Sequence, residues 1–505
     1  MSMPSHPGTL LLRSDASVAI GTGHVMRCLA LGQAWQDAGG RVVFALAQAT
    51  AAIESRLRGE GFEVVRLAVS SQQEDAEQGI ELAHSHSARW VVVDGCNFDA
   101  SYQQGLKNAG LKVLLVDDSG GAPHYFADLV LNQNVYAREE LYSRREAGTR
   151  LLLGPGFAML RREFAAWREW QREIAPGGNK LLITMGGSDP DNLTLTIIEA
   201  LCLVEGEFET AAVVGGSNPH FRSLELASAR FPGQVRILRD VPMPELMTWA
   251  DAAICGAGTT AAEICFLGLP AILVDIAPNQ TPVARELDRR GAALHMSPEV
   301  VLRPQVLAKR LRHLLSSFES RAAISKTARS LVDGRGAERV VSVMCGRDLS
   351  LRPAGETDRE RLWEWANDPA VRAASFRQEL IPWERHVEWF RSQLGDRCFR
   401  IYIALDSSQN PIGAVRFQLE GERAVVSITV DKKARGKGYG GNMLQMAAQE
   451  LFQSSPAVAV DAYVKADNEA SQRLFESAGF RKRPSLETVH GHRSVHFVLA
   501  NNGAH

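Results

Sequence analysis

Over the first two-thirds of the chain, short apolar runs ending at a glycine or an acidic residue alternate with longer amphipathic stretches. TLLLRSD ending at Asp15, RVVFALA from Arg41, FEVVRL from Phe62, WVVVDG from Trp90 and KVLLVDD from Lys112 each read as a strand. The stretch HVMRCLALGQAWQDAG between the first two reads as a helix, closed by Gly39 and Gly40. Apolar strands separated by helices predict a parallel sheet covered on both faces. Ligands collect at the carboxyl ends of such strands, where Asp15, Asp94, Asp117 and Asp118 fall. A second series begins near Asn179, with KLLITMGGSD, TAAVVGGSN, QVRILRD, DAAICGAG and PAILVDI as its strands. From about Leu151 to Gly178, an arginine- and tryptophan-rich stretch predicts a helix, and the PGG after it suits a linker between two lobes.

The pattern changes between Met344 and Ser350. A new opening strand and a helix begun by Thr357-Asp358 mark a fresh domain. RCFRIYIAL, PIGAVRFQLE and RAVVSITVD read as antiparallel strands mixed with two helices, an α+β pattern. The expected division is therefore residues 1–155, 156–343 and 348–500: two α/β lobes and an α+β domain.

Composition narrows the classes. The 505 residues, 45% hydrophobic and 23% charged, suit a multidomain globular chain and not a disordered one. A formal net charge of −2 lacks the basic excess of a general nucleic-acid binder. No apolar run reaches the roughly 18–20 residues of a membrane span, and MSMPSHPGTL lacks the parts of a secretory signal. The seven cysteines are scattered, with no C-x-x-C pair, as in a reducing cytoplasm. A cytoplasmic protein with no membrane and no nucleic-acid partner is expected; the oligomeric state is left open.

IGTGHVMRC follows the first strand and opens the first helix. Gly21 and Gly23 permit a tight turn, and the helix start presents free N–H groups. His24 lies at the sheet's carboxyl edge, where an imidazole suits a general base, though a histidine there can also cap or pack. In MGGSDPDN, Gly186, Gly187 and Ser188 can offer donors to a diphosphate. Asp189-Pro190-Asp191 has the form of a metal-binding acidic pair but reads as a turn and helix cap. In CGAGTTAAEICFLGLPAILVDIAPNQ, Gly258 and Thr259 precede a helix, and Glu263 lies one turn in. Asn279 and Gln280 follow the next strand. A carboxylate one turn beyond a phosphate site can bind a ribose diol, or can simply complement the helix dipole.

GAGTTAAEICFLGLPAILVDIAPNQ resembles the nucleotide-binding segment of GT-B glycosyltransferases, especially the peptidoglycan lipid II N-acetylglucosaminyl transferase. With RSDASVAIGTGHVMRCLALG, GPGFAMLRREF and MGGSDPDN, the chain from Thr9 to Val343 is similar to the UDP-2,4-diacetamido-2,4,6-trideoxy-β-L-altropyranose hydrolases of pseudaminic acid biosynthesis. The resemblance implies two Rossmann-like lobes, His24 as base, and Glu263 and Asn279 on UDP. Arg13, Asp15, Arg27 and Arg161 also match motif positions, whereas Phe157 replaces a frequent tyrosine. An inverting hydrolysis needs no metal if amide groups and dipoles take up the diphosphate charge.

The third chemical segment, AVVSITVDKKARGKGYGGNMLQ, carries Arg435, Gly436, Lys437, Gly438, Tyr439 and Gly440 between a strand and a helix. It resembles the R-x-x-G-x-G/A loop with which GNAT acyltransferases hold the pyrophosphate of acetyl-CoA. VKADNEASQRLFESAGF resembles the second GNAT signature, and Asn468 matches the asparagine that contacts CoA. Phe475 occupies the place where relatives often have the tyrosine that protonates the departing thiolate. LRPAGETDRERLWEWANDPAVRAASF looks like amino-sugar N-acetyltransferases of the same pathway. Trp365, Asn367, Arg372, His386 and Trp389 there either shape the acceptor pocket or belong to core and surface.

Together these resemblances imply a bifunctional chain that acetylates a UDP-4-amino-4,6-dideoxy sugar from acetyl-CoA and then releases UDP from the diacetamido product. A glycosyltransferase fused to a GNAT of other amine specificity, and a nucleotide-sugar sensor without turnover, remain open.

Overall fold

A computed structural model describes residues 7–17, 20–95, 97–187, 189–204, 208–216, 218–230, 235–239, 241–346, 348–406, 409–436 and 438–501. It comprises two compact units, Met1–Arg145 with Leu151–Val341, and Glu146–Arg150 with Ser342–His505.

The first unit holds two sheets. Strands β1 (Thr9–Ser14), β2 (Arg41–Leu46), β3 (Glu63–Arg66), β4 (Ala88–Asp94), β5 (Lys112–Val116), β6 (Leu129–Asn132) and β7 (Arg150–Leu153) stand in the order β3-β2-β1-β4-β5-β6-β7. Pairing is parallel from β3 through β6. Leu10, Leu11 and Leu12 are consecutive and all fully buried, as they must be where helices cover both faces. The order reverses beside β1, so β1 and β4, paired to their last residues, send their chains to opposite sides and leave a crevice beyond their carboxyl ends. The short β6 and β7, outside the sequence expectation, extend this sheet.

Strands β8 (Lys180–Thr184), β9 (Glu209–Val213), β10 (Val235–Leu238), β11 (Ala252–Gly256), β12 (Ala271–Val274) and β13 (Leu294–Met296) form the second sheet, ordered β10-β9-β8-β11-β12-β13 and parallel throughout. The switch point lies between β8 and β11. The fold is thus α/β with two Rossmann-like lobes.

The expected arginine- and tryptophan-rich helix is instead a 3-10 segment, Arg162–Trp167, followed by irregular chain. Arginine donors bind this chain to the second lobe. Arg172 donates to the carbonyls of Met247, Ala250 and Leu267, Arg329 to those of Phe266, Arg168 and Trp170, and Arg321 to those of Ala175 and Leu315. Backbone carbonyls buried with no helix to pair them need such donors.

The second unit is α+β. Strands β14 (Leu349–Pro353), β15 (Phe399–Asp406), β16 (Pro411–Glu420), β17 (Arg423–Val430), β18 (Ala459–Lys465), β19 (Arg481–Val489) and β20 (His492–Ala500) run β14-β15-β16-β17-β18-β20-β19. All neighbours are antiparallel except β17 and β18. That parallel pair is joined only from Arg423–Ala459 to Val425–Asp461, although both strands continue. Beyond Val425 the two strands separate. One sheet face packs on helices Tyr439–Ser454 and Glu469–Ser477 through Val415, Phe417, Met443, Leu444 and Phe475. Part of the other face meets helices Arg359–Ala366 and Trp383–Leu394 through Leu362, Trp365, Phe390 and Ile403. These helices, with Pro369–Ala374, exceed the two expected from sequence.

Candidate functional site

In the first lobe, the helix Gly23–Asp37 begins directly after the loop from β1 and carries His24 at its second position. His24 Nδ1 lies 2.6 Å from Asp94 Oδ1, at the last residue of β4. The carboxylate cannot donate, so Nδ1 carries the hydrogen of this bond and Nε2 is the ring's acceptor. Arg27, one turn along the same helix face, binds Asp94 through Nε at 2.6 Å and a terminal nitrogen at 2.7 Å. It also reaches Asp118 at 2.8 Å, and Asp118 in turn accepts from Asn134 Nδ2 at 2.7 Å. Asp94 is fully buried. Burial alone would raise its pKa, but the charges and hydrogen bonds of Arg27 and His24 prevail and hold it well below the usual carboxylate range. The result is an imidazole fixed in one tautomer by a partner that is ionised at neutral pH.

The glycine loops of the second lobe meet this helix start. A Cβ on Gly187 would lie 2.6 Å from Thr22 Oγ1, so only glycine admits this approach. A Cβ on Gly23 would lie 3.8 Å from Thr259 Cγ2. Gly186, in the left-handed region at φ +79°, turns the chain beyond β8. Ser188 lies outside the described residues. Asp189 accepts the N–H groups of Leu193 and Thr194 at 2.9 and 3.0 Å, which fits the cap reading over the metal reading.

Gly258 and Thr259 precede the helix Thr260–Leu267, on which Glu263 is buried. Glu263 Oε1 accepts from Arg161 at 2.7 Å, and Arg161 also pairs with Glu163 at 2.8 Å. Arg161 and Glu263, more than a hundred residues apart, thus meet. Gln280 is half-buried near Gly258, its Oε1 accepting from the Ile276 N–H at 3.3 Å, while Asn279 is exposed beside it. Phe157 is half-buried in a short 3-10 turn, Pro155–Phe157.

Arg13 and Asp15 have a different setting. The Arg13 guanidinium is spent on Asp15 at 2.7 Å and on the buried Asp75 at 2.6 Å, and Asp15 accepts the N–H groups of Ala47 and Gln48. This ties β1 to the chain after β2 and to the helix Gln72–Ser85. Asp94, Asp118 and Asn134 were absent from the residues expected at the site. The signal for Asp94 and Asp118 was the run of aspartates at strand ends, whereas Asn134 had none; what the sequence lacked was which aspartate reaches His24.

In the second unit, the loop after β17 passes through Gly436 and Gly438, at φ +74° and +72°, into the helix Tyr439–Ser454. A Cβ on Gly438 would sit 2.7 Å from Arg150 Cγ, and one on Gly440 2.7 Å from Leu474 Cδ1. The Arg150 guanidinium lies 4.4 Å from the Tyr439 ring centroid and pairs with Asp348. Arg435 donates to the Val430 carbonyl at 3.0 Å and pairs with Asp368 at 2.8 Å. Lys437 lies outside the described residues. The bare backbone at the start of a sixteen-residue helix fits an anionic pyrophosphate. Asn468 caps the helix Glu469–Ser477, its Oδ1 accepting from Ser471 N–H at 3.0 Å. Phe475 is buried against Phe480 and Phe497 and has no polar function. Trp365 donates to Asp431 at 2.7 Å, Asn367 to the Ile381 carbonyl at 3.0 Å, and buried His386 bonds the Arg359 carbonyl at 2.8 Å, all of them scaffold contacts.

Comparison with known proteins agrees with this architecture. Residues 181–339 match the glycosyltransferase family 28 C-terminal domain, and residues 348–481 match the acetyltransferase (GNAT) domain. The chain is a fusion of a GT-B-like pair of lobes with a GNAT domain. It is 22% identical over 491 residues to the uncharacterized protein MJ1062 of Methanocaldococcus jannaschii, covering 93% of this chain and 96% of the relative. It is 27% identical over 237 residues to the spore coat polysaccharide biosynthesis protein SpsG of Bacillus subtilis, covering 46% and 69%. Its GT-B-like part is homologous to the UDP-2,4-diacetamido-2,4,6-trideoxy-beta-L-altropyranose hydrolase of Campylobacter jejuni, at 25% identity over 285 residues, covering 56% of this chain and 97% of that one. Among the described residues no helix is long and apolar enough to cross a membrane.

Proposed function

We propose that the chain catalyses two consecutive steps on a UDP-sugar of the pseudaminic acid type. Residues 348–500 transfer the acetyl group of acetyl-CoA to the 4-amino group. The lobes spanning 1–155 and 156–343 then hydrolyse UDP-2,4-diacetamido-2,4,6-trideoxy-β-L-altropyranose. The observation that carries the hydrolytic reading is the His24–Asp94 pair at the crevice of the first sheet. Asp94 holds Nδ1–H, so Nε2 accepts the proton of a water attacking the anomeric carbon. That C–O bond forms as the bond to the UDP oxygen breaks on the opposite face, which inverts the centre. Gly186, Gly187, Gly258 and Thr259 supply backbone donors for the departing diphosphate; Glu263, Asn279 and Gln280 hold the nucleoside, and no metal takes part. Arg27 and Arg161 act through Asp94 and Glu263, and Arg13 and Asp15 brace β1.

In the acetyl-transfer step the amine nitrogen forms a C–N bond to the thioester carbonyl carbon, the C–S bond breaks, and CoA leaves as thiolate, which takes up, through water, the proton that the nitrogen gives up. Arg435, Gly436, Lys437, Gly438, Tyr439 and Gly440 bind its pyrophosphate, Asn468 offers its amide, and the unpaired backbone between β17 and β18 receives the pantetheine arm. Such a chain works in the cytoplasm, where both substrates occur.

The deciding experiment supplies the full chain with the diacetamido UDP-sugar alone and follows UDP by phosphorus NMR. Release without any acceptor supports hydrolysis; a strict need for a sugar or lipid acceptor replaces it with glycosyl transfer, and tight binding with no turnover leaves a sensor. Supplying the 4-amino UDP-sugar with acetyl-CoA then tests the first step.

A further inference from the structure

Arg416 lies on β16 opposite Ser427 of β17, and its Nε donates to Ser427 Oγ at 3.1 Å. Its neighbours in sequence, Val415 and Phe417, point into the core under helix Tyr439–Ser454, so Arg416 occupies the other sheet face. Ser427 is two residues beyond Val425, the last residue of β17 that pairs with β18. Arg416 therefore flanks the opening between those strands. Trp389, half-buried on the helix Trp383–Leu394, lies beneath it, with the guanidinium carbon 5.3 Å from a ring centroid.

Among the described residues, no carboxylate lies within ion-pair distance of Arg416, and its two terminal nitrogens have no hydrogen-bond partner. Among the described residues Arg372 has no carboxylate in ion-pair contact either, although the Glu379 charge acts on it and opposes the lowering that burial causes. It donates to the carbonyls of Arg377 and Glu379 and to Ser375 Oγ, while its Nε is buried with no partner. Burial first, and the charge of Arg372 second, push the Arg416 guanidinium below its ordinary value. The Arg416 charge also helps to keep the buried His386 below its usual value, after burial itself. At Arg416, where burial and a second cation act with no acidic group among the causes, a partly desolvated positive charge is costly unless an anion arrives.

We infer that Arg416, with Arg372 behind it, binds a phosphate group of the amine acceptor beside the gap between β17 and β18. The inference rests on the acetyl-transfer reading above and makes it more specific: the acceptor is recognised through its nucleoside diphosphate as well as through its amine. Trp389 supplies an apolar floor, and the planar guanidinium offers paired donors to phosphate oxygens.

The test follows acetyl-CoA consumption by the full chain with two acceptors, the 4-amino UDP-sugar and the same amino sugar without its nucleotide, in wild type and Arg416→Ala. Wild type prefers the nucleotide-bearing amine, and that preference in kcat/KM shrinks roughly 10- to 100-fold in the variant, the equivalent of one charge-assisted contact. UDP inhibits wild type competitively against the amine and not against acetyl-CoA, and this inhibition weakens in the variant. An unchanged KM for acetyl-CoA shows that the variant is folded; Arg416→Lys, keeping the charge but losing the fork, gives an intermediate preference. Equal preference in wild type and Arg416→Ala overturns the anion site. If wild type acetylates neither sugar but UDP still inhibits a surrogate amine in an Arg416-dependent way, the site stands and the sugar assignment fails.

Discussion

His24 and Asp94 come from elements seventy residues apart and meet through a 2.6 Å bond at the crevice beyond the carboxyl ends of β1 and β4. The geometry assigns the proton on Nδ1 and leaves Nε2 as acceptor. Replacing Asp94 with Asn offers an amide that can present its N–H to Nδ1 and so favours the wrong tautomer. We expect Asp94→Asn to lower nucleotide release about 10²- to 10⁴-fold, the range for a lost general base, while acetyl transfer continues. His24→Asn should do the same. Parallel assays of UDP and CoA release on one preparation check this; loss of both activities with folding intact would contradict separate sites.

The same carboxylate makes a prediction about acid. Its folded pKa is depressed, burial being outweighed by Arg27 and His24, so the unfolded chain takes up its proton first. The stability it contributes is complete above the unfolded value of about 3.9 and is lost as pH falls through the folded value. Denaturant titrations of wild type should therefore show stability flat in this contribution from pH 7 to 5 and falling below about pH 4. Asp94→Asn should be less stable at pH 7, by about 1–3 kcal/mol, because Arg27 loses its buried carboxylate and keeps only Asp118, and its acid slope should be shallower. Identical slopes would remove Asp94 as the source.

Gly438 reads out the acetyl-CoA loop. It stands at φ +72°, and a Cβ there would press to 2.7 Å on Arg150 Cγ, a side chain fixed by Asp348 and Tyr439. Gly438→Ala should cost about 1–2 kcal/mol in the loop conformation and raise KM for acetyl-CoA roughly tenfold. Hydrolysis of the preformed diacetamido substrate should not change. Steady-state titration with acetyl-CoA is the measurement.

Glu263 offers one oxygen to Arg161 and keeps the other. If the second oxygen holds a ribose hydroxyl, Glu263→Gln should raise KM for the UDP-sugar about ten- to a hundredfold with a smaller change in kcat. A 2′,3′-dideoxyribose analogue should then bind wild type and variant alike, as judged by competition against UDP release. Retained discrimination against the analogue would move the diol contact elsewhere.

Much of this was legible because it is local. The apolar runs at Leu10–Leu12 and Leu181–Ile183 announce strands buried on both faces, and a glycine turn followed by a helix marks the His24, Thr259 and Gly438 loops. What escaped depends on meetings at long range. Asp94 was visible as a strand-end acid, but no spacing linked it to His24 in preference to Asp117 or Asp118. Arg13 looked equally available as a ligand residue until Asp75, a residue on a helix with no motif of its own, took its donors. The segment Arg162–Trp170 has a helical composition, yet tertiary acceptors for Arg172 and Arg329 prevail over local propensity.

That segment gives the last prediction. Arg172 is half-buried, and among the described residues no carboxylate pairs with it at contact distance; desolvation drags its pKa down to about 10, opposed by the charge of Asp251 and helped by that of Arg329. It remains charged at neutral pH, and its donors satisfy three carbonyls that end the helices Met243–Trp249 and Thr260–Leu267 or follow them. Arg172→Met preserves much of the apolar stem over Trp170 but leaves those carbonyls without donors. Each unpaired buried carbonyl costs about 1–3 kcal/mol, and water reaching some of them offsets part of the sum. We expect a net loss of about 2–4 kcal/mol in the first unit, seen as a lower Tm of its transition by calorimetry, with KM for acetyl-CoA unmoved. Lys at this position restores charge but only one direction of donation, so it should recover a minority of the loss; full recovery by Lys would mean that charge, and not the three-way donor geometry, holds the linker to its lobe.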